Sequence, residues 1–399
     1  MQDTPKANRL HIALFGRTNA GKSSLINALT GQNLAIVSHM PGTTTDPVSK
    51  AMEILPVGPV LLIDTAGLDD KTELGQLRME KSIEVLKKTD IALVILDAMK
   101  LDNLDVEQEI IEKIKEKKIP YLVVLNKVDL NTSAMWHDLS VLADSKYIVS
   151  VSANKTIGID ALKQLIARIG QSKNKDIGLL DGLIKPNDIV LLITPIDSAA
   201  PKDRMILPQV QVLRAALDND AVCITVKEEQ LLKTLSILKE PPALAITDSQ
   251  AFKGVDAKLP TGIPLTSFSI LFARQKGDLS ELTIGAQSVS KLKNGDKILI
   301  VEACTHYRTH EDIGTVKIPN MLLKYTGLDL EFNHVAGYEF SEDIKQYALI
   351  VHCGACMINR SNMMSRIEKS KEYNVPIVNY GVLIAYLTGI LNRSLKPFN

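Results

Sequence analysis

Hydrophobic residues between positions 10 and 170 fall into short runs separated by amphipathic segments. The runs are rich in β-branched residues and read HIALF, VLLID, IALVILDA, YLVVLNK and YIVSVSA. Between them, stretches such as GQLRMEKSIEVLKKT and DVEQEIIEKIKEKK repeat their apolar residues at helical spacing. Because strands that alternate with helices form βαβ units, this pattern predicts an α/β domain with a parallel sheet over residues 1–170.

Two further regions show the same alternation on a smaller scale. A polar linker is predicted at 171–185, and region 186–262 then carries DIVLLITPI, LPQVQVLRAALDND, AVCITV, EEQLLKTLSILKE and PALAITD. Region 263–399 carries KILIVEA, YALIVHCG and VPIVNYG, with the helical MMSRIEKSKEY before the last of these. Its longest apolar stretch, IVNYGVLIAYLTGIL, is too short for a membrane span and predicts a buried strand and helix. We therefore predict two smaller α/β domains after the first.

Composition narrows the classes of partner. The chain has 399 residues, enough for two to four domains, with 46 basic and 46 acidic side chains. This neutral balance creates no overall field for nucleic acid or anionic membrane, so neither is predicted as a partner. The start lacks a basic segment followed by a long apolar run, which predicts a cytoplasmic protein. Four cysteines are too few for a disulfide scaffold at this length, and clustered cysteines in a reducing compartment more often bind metal.

The stretch GRTNAGKSS matches the phosphate-binding loop GxxxxGK[ST] and lies between a predicted strand and a predicted helix. In such a loop backbone amides cradle phosphates, Lys22 reaches the β and γ oxygens, and the Ser23 hydroxyl binds Mg²⁺. An ordinary turn is the alternative, but the flanking elements favour the phosphate site. The predicted nucleotide contacts from this loop are Gly16, Asn19, Ala20, Gly21, Lys22, Ser23 and Ser24.

Three more short motifs follow in order, each at a predicted strand end. DTAG places Asp64 to hold Mg²⁺ through water and the Gly67 amide to meet the γ-phosphate. NKVD contributes Asn126, Lys127 and Asp129, and SAN contributes Ser152 and Ala153. The Asp129 carboxylate can accept two hydrogen bonds from guanine, whereas adenine offers no such pair of donors. The four motifs together predict a Mg²⁺-dependent GTPase that binds GTP and GDP.

On these motifs, residues 10–170 resemble the translation-factor-related GTPases, and more narrowly the group that contains Era and the tRNA-modifying TrmE. The stretch PGTTTDP resembles switch I of that group, which implies that Thr44 or Thr45 contacts Mg²⁺. The resemblance also implies that Asn19 helps to coordinate K⁺, although asparagine is an ordinary turn residue as well. Leu68 stands where Ras-like enzymes carry a water-positioning glutamine, so unaided hydrolysis is expected to be slow.

The remaining chemistry lies near the C-terminus. EACTHYRTHED supplies Cys304, His306 and His310, and IVHCGACM supplies His352, Cys353 and Cys356, each just past a predicted strand. A crossover fits between the two groups, so we expect the two strand ends to lie side by side. Three thiolates are best explained by an iron–sulfur cluster, whose fourth iron would take His306, His310, His352, Glu311 or an exogenous group. A structural zinc site and a thioredoxin-like redox pair are the alternatives. Cys223, in AVCITV, is predicted to be a buried core residue.

The combination of a GTPase domain, a middle domain and this C-terminal cysteine set resembles the maturation GTPases of FeFe-hydrogenase along the whole chain. The resemblance implies a 4Fe-4S cluster on Cys304, Cys353 and Cys356, with His306 or His352 as a possible fourth ligand. It implies a scaffold or carrier that holds a transient diiron subcluster, the precursor of the hydrogenase active site. The implied partners are the radical-SAM maturases HydE and HydG and apo FeFe-hydrogenase, and the middle domain is implied to form a homodimer.

Two other functions compete with this hypothesis. An RNA-modification or ribosome-associated GTPase with a structural zinc would need a basic surface and stacking aromatics, yet the chain is neutral with 4% aromatic residues. A signalling switch with an inert, metal-stabilised tail would require that metal removal leave every partner interaction intact. We therefore predict a GTP-hydrolysing metallocluster scaffold.

Overall fold

The computed structural model describes most of the chain, and the polypeptide clusters into two units, Met1–Lys175 and Asp176–Asn399. The described residues are 4–31, 48–55, 57–69, 81–130, 136–173, 177–195, 205–303, 312–337, 340 and 343–398.

The first unit is built on a six-stranded sheet with the order β2-β3-β1-β4-β5-β6. Its elements are β1 (Leu10–Gly16), α1 (Lys22–Thr30), β2 (Val48–Ile54), β3 (Gly58–Asp64), a helical segment α2 (81–86), β4 (Ile91–Asp97), α3 (Asp105–Glu116), β5 (Tyr121–Asn126), β6 (Ile148–Ser150) and α4 (Ile159–Lys173). All neighbours are parallel except β2, which is antiparallel to β3. The five predicted strands are confirmed, and β2 is an additional edge strand.

Successive residues of the central strands point to opposite faces of this sheet, and each face has its own core. Ile12 and Leu14 of β1 join one cluster, which includes residues of α1 and α4. Ala13 and Phe15 join the other cluster, which includes residues of α2 and α3. This burial on both faces explains why β1 reads as a continuous apolar run rather than an alternating one.

The second unit begins with a four-stranded parallel sheet of order β10-β9-β7-β8. Its elements are β7 (Ile189–Ile193), α5 (Leu207–Asp218), β8 (Val222–Val226), α6 (Leu231–Ile237), β9 (Leu244–Thr247), α7 (Phe252–Lys258), β10 (Leu265–Ser267) and α8 (Phe268–Lys276). The predicted boundary at residue 262 stays a prediction, and it falls one strand before the end of this sheet. Cys223 lies on the edge strand β8 and packs against the core of this sheet, as predicted, but it is half-buried and not fully buried.

A second four-stranded parallel sheet follows, with the order β12-β11-β13-β14. Its elements are α9 (Leu279–Gln287), β11 (Lys297–Glu302), a π-helical turn (Ile313–Lys317), α10 (Ile318–Thr326), β12 (Glu331–Ala336), β13 (Leu349–His352), α11 (Arg360–Glu372), β14 (Ile377–Asn379), α12 (Tyr380–Leu387) and α13 (Leu391–Leu395). The apolar stretch near the C-terminus forms β14 and α12, as predicted. Buried residues of both sheets share one hydrophobic cluster.

Among the residues that the structure describes, no helix combines the length and apolar character that crossing a bilayer requires.

Candidate functional site

The phosphate-binding loop connects β1 to α1 and depends on Gly21. This residue has φ +94°, and a Cβ atom there would lie 2.2 Å from the Asn126 side-chain nitrogen. The loop therefore excludes any larger residue at position 21 on both conformational and steric grounds. Asn19 also takes a left-handed conformation, with φ 63°, which asparagine tolerates better than most residues.

Lys22 is buried at the start of α1. Its Nζ atom donates to the carbonyl oxygens of Gly16 and Arg17, both at 2.9 Å. Burial lowers the pKa of Lys22, and the nearby carboxylates of Asp64 and Asp69 oppose that shift. The ammonium group is thus fixed across the loop, as the predicted phosphate contact requires.

The two oxygen donors predicted for Mg²⁺ are brought together. Ser23 Oγ donates to Asp64 Oδ2 at 2.7 Å, which joins the first turn of α1 to the end of β3. Burial raises the pKa of Asp64, and the Ser23 hydroxyl and the Lys22 charge act against that rise. A hydroxyl and a carboxylate are ligand types that Mg²⁺ favours. Thr44 and Thr45, the predicted switch I ligands, lie outside the described residues.

Asp69, which the sequence did not predict as a site residue, connects the segment after β3 to the phosphate-binding loop by hydrogen bonds. The Thr18 backbone N–H and hydroxyl donate to Asp69 Oδ1 at 2.7 and 2.8 Å. Burial raises the pKa of Asp69, but these two bonds, its own backbone N–H and the Lys22 charge together lower it, so the net shift is downward. A Cβ atom on Gly67 would lie 2.1 Å from Thr18 Oγ1, so only glycine fits there. Leu68 is buried in the core beside α2 and α3.

Asn126 ties the phosphate loop to the predicted base pocket. Its Nδ2 atom donates to the Ala20 carbonyl at 3.0 Å, and its Oδ1 atom accepts from the Ala153 N–H at 3.1 Å. Lys127 Nζ lies 2.6 Å from Asp97 Oδ2 at the neighbouring strand end. The structure therefore brings the loops that follow β1, β5 and β6 to one edge of the sheet.

Asp129 presents an ionised carboxylate at the same edge. A hydrogen bond with Ser152 lowers its pKa, and Lys155 Nζ lies 3.5 Å from its Oδ2 atom. Its side chain is 11% exposed. An ionised carboxylate offers acceptors only, which matches the two donors on the guanine edge. Ser24 lies in the first turn of α1 and is half-buried.

The second candidate site lies at the carboxyl edge of the last sheet. Strands β11 and β13 are parallel neighbours, with Val301 opposite His352. Cys353 Sγ accepts a hydrogen bond from the Ala303 N–H at 3.2 Å. The predicted meeting of these two strand ends is confirmed. Cys304, His306, His310 and Glu311 lie outside the described residues.

The loop between β13 and α11 carries two thiols. Cys353 is buried, Cys356 is half-buried, and Ala355 between them has φ 55°. Burial and the neighbouring Cys353 raise the pKa of Cys356, whereas the Lys276 ammonium lowers it. Burial lowers the pKa of Lys276 itself to about 8, against the charges of the two cysteines. Lys276 is distant in sequence, so no local pattern marked it as part of this site.

His352 is fully buried and has a partner at each ring nitrogen. Arg366 Nη1 lies 2.8 Å from Nε2, and the Cys353 carbonyl oxygen lies 2.8 Å from Nδ1. Because a guanidinium only donates, Nε2 accepts and Nδ1 carries the proton. This arrangement leaves no ring nitrogen for iron, so the structure disfavours His352 as a fourth ligand. Within the described residues no group of three or more His, Cys, Asp or Glu side chains could hold a metal ion.

The fold and the loops at its first sheet define a P-loop GTPase domain followed by further α/β domains. Residues 11–127 match the family model described as 50S ribosome-binding GTPase. Residues 179–277 match the hydrogen maturase F dimerization domain, and residues 280–397 match the hydrogen maturase F tetramerization domain. The chain belongs to the hydrogen maturase F family, which confirms the resemblance and the fold class predicted from the sequence.

Curated relatives of this chain include tRNA modification GTPases. The tRNA modification GTPase MnmE of Desulforamulus reducens is 39% identical over 168 residues, which cover 41% of this chain and 36% of MnmE. MnmE of Clostridioides difficile is 35% identical over 159 residues, which cover 39% of this chain and 34% of the relative. The chain thus spans about a third of the length of these relatives. A crystal structure of Era from Aquifex aeolicus, bound to GDP and aluminium fluoride, has a TM-score of 0.34 and 20% identity, covering 54% of this chain and 92% of Era.

Proposed function

We propose that this protein is a GTP-hydrolysing scaffold that binds a 4Fe-4S cluster on Cys304, Cys353 and Cys356. In this role it assembles or delivers the diiron precursor of the FeFe-hydrogenase active site. One observation carries the proposal: the Cys353 thiol is hydrogen-bonded to Ala303, the residue directly before Cys304, within a domain matched by a hydrogen maturase F model.

The described donors fit an iron–sulfur cluster. Thiolates are the usual protein ligands of such clusters. Hydrogen bonds to sulfur and burial of the site help to set the reduction potential of the cluster. Cys353 has both features, and the Lys276 ammonium group donates to the Cys356 carbonyl oxygen in the same loop. The cluster would supply an iron with an exchangeable position for cargo. His306 and an exogenous group remain the proposed occupants of that position. A structural zinc is the competing interpretation of the same cysteines.

The GTPase chemistry is assigned to the residues that converge on the first sheet edge. Lys22 and the loop amides bind phosphates, Ser23 and Asp64 hold Mg²⁺, and the Gly67 amide meets the γ-phosphate. Thr44, or Thr45 beside it, is proposed to complete the Mg²⁺ shell. Leu68 offers no polar group to water, so hydrolysis is proposed to act as a slow switch and not as a bulk turnover reaction.

The proposed partners are a second copy of this chain, the maturases HydE and HydG, and apo FeFe-hydrogenase, all in the cytoplasm. A homodimer is supported by the dimerization-domain match over 179–277. The edge strand β8 also supports a homodimer, because its first residue, the apolar Val222, is 50% exposed. An exposed apolar edge strand is a common site for pairing with another chain.

Potassium stimulation is expected to depend on the Asn19 side chain. The test variant is Asn19→Gly, because glycine adopts the left-handed conformation at this position without strain. Wild type is expected to hydrolyse GTP faster in KCl than in NaCl, and the variant is expected to lose most of that difference. Phosphate release at matched ionic strength measures both rates. Equal stimulation of the two proteins would show that Asn19 is only a turn residue.

Anaerobic reconstitution with iron and sulfide tests the proposed function as a whole. Wild type is expected to take up about four irons per chain and to show a cubane EPR signal after reduction. If GTP binding changes the affinity for the cluster by some factor, cluster binding must change the affinity for GTP by the same factor. One tightly held zinc without a competent cluster would refute the scaffold function and leave a GTPase with a structural metal.

A further inference from the structure

A buried lysine joins α8 to the cysteine loop, defined here as residues 353–358. Lys276 is the last residue of α8 and is 5% exposed. Its Nζ atom donates to the carbonyl oxygens of Ala355, Cys356 and Ile358, at 3.2, 3.3 and 3.0 Å. An ammonium group has three N–H donors, so all three are satisfied by one loop. The backbone of the cysteine loop is therefore wrapped around a single positive charge.

Arg360 makes a second contact between the end of α8 and the residues around the cysteine loop. It is the first residue of α11, and its Nη1 atom donates to the carbonyl oxygens of Gln275 and Gly277, at 2.7 and 2.9 Å. Residues 275–277 at the end of α8 and residues 355–360 at the start of α11 thus exchange five charge-assisted hydrogen bonds. Such bonds are about twice as strong as neutral ones. The orientation of the cysteine loop is consequently tied to α8.

Lys276 and the cysteine loop lie in regions matched by two different family models. Residues 179–277 match the dimerization domain, whereas residues 280–397, with both described loop cysteines, match the tetramerization domain. The lysine is thus supplied to the cysteine loop from the neighbouring domain.

A purely structural lysine is a poor account of this arrangement. Burying an ammonium group costs free energy, and a methionine could fill much of the same space beside Phe272. The three carbonyl contacts offset part of that cost, and negative charge on the loop would offset more of it. A 4Fe-4S cluster held by three thiolates is such an anionic group, and nearby charge shifts its reduction potential.

We propose that Lys276 is a positioning residue for the metallocluster, which shapes the cysteine loop and raises the reduction potential of the cluster bound there. This inference rests on the proposed function. A positive charge favours the reduced cluster, because reduction adds an electron to an already anionic group. Neutralising position 276 therefore shifts the midpoint potential to a more negative value.

The test compares Lys276→Met and Lys276→Arg in the reconstituted full-length protein. Midpoint potentials come from EPR-monitored redox titration, and the rate of iron loss to a chelator reports loop geometry. The methionine variant is expected to show a more negative potential and faster iron loss. The arginine variant, which keeps the charge, is expected to recover most of the wild-type potential. Lys276→Gln replaces the methionine variant if that protein does not fold, as judged by circular dichroism.

Lys371→Met provides the matched control, because it removes a lysine of α11 that is 55% exposed and paired with Glu281. Its potential is expected to equal that of wild type. The inference is overturned if the neutral variants at position 276 keep the wild-type potential and iron retention. It is also overturned if the neutral and arginine variants shift equally. Failure of wild type to bind a cluster would instead refute the proposed function, so the two failures are distinguishable.

Discussion

Replacing Asp129 with asparagine is expected to weaken GTP binding by up to about 10⁴-fold and to make xanthosine triphosphate the preferred nucleotide. The Asp129 carboxylate only accepts hydrogen bonds, which suits the ring N–H and the exocyclic amine of guanine. Xanthine carries a carbonyl oxygen in place of that amine. The asparagine amide donates to this oxygen and still accepts from the ring N–H, so the preference is expected to invert.

Affinities for fluorescent derivatives of the two nucleotides measure this change. Asp144→Asn is the matched control, because it makes the same chemical change at an exposed carboxylate whose described partner is Lys146. The control is expected to keep the GTP preference of wild type. An Asp129→Asn protein that still prefers GTP would mean that another group reads the base.

Cys353→Ser is expected to reduce iron content after reconstitution from about four irons per chain to fewer than about one. Serine keeps the size of the side chain and its place beside the Ala303 N–H, but its hydroxyl stays protonated at neutral pH. It is therefore a poor iron ligand. Because this thiol is buried at the junction of β11 and β13, a nearby cysteine cannot simply replace it.

Cys223→Ser is the matched control for this prediction. Cys223 is half-buried on β8, in the other sheet of the same unit, and its loss is expected to leave iron content unchanged. Iron and sulfide analysis, with circular dichroism as a check on folding, compares the two variants with wild type. Equal iron in the Cys353→Ser protein and wild type would show that this cysteine is not a cluster ligand.

The sequence pattern identified the interior strands but missed three edge strands, β2, β10 and β12. Strands such as β1 and β4 are buried on both faces, so their apolar runs are conspicuous. Strands β2 and β12 lie at sheet edges with largely exposed or half-buried side chains, and no apolar run marks them. The misjudged burial of Cys223 has the same cause, because AVCITV looks apolar although β8 has a neighbour on only one side.

The nucleotide site was largely predictable because its motifs are contiguous in sequence and a parallel sheet brings their strand ends to one edge. Asp69 and Lys276 were not predictable, because their partners are 51 and about 80 residues away. At His352 the sequence and the structure point in different directions. Its position next to a cysteine pair indicates a metal ligand, whereas Arg366 and the Cys353 carbonyl oxygen contact its two ring nitrogens.

The contact between Asp69 and Thr18 has a consequence for how nucleotide arrival is sensed. A phosphate oxygen that takes the Thr18 N–H must displace a carboxylate of the same charge sign, which also holds the Thr18 hydroxyl. Phosphate binding at the Thr18 N–H and attachment of the chain beyond β3 through Asp69 are therefore mutually exclusive. A molecule that binds the released segment would, by reciprocity, increase the affinity for nucleotide, with no direct contact between the two ligands.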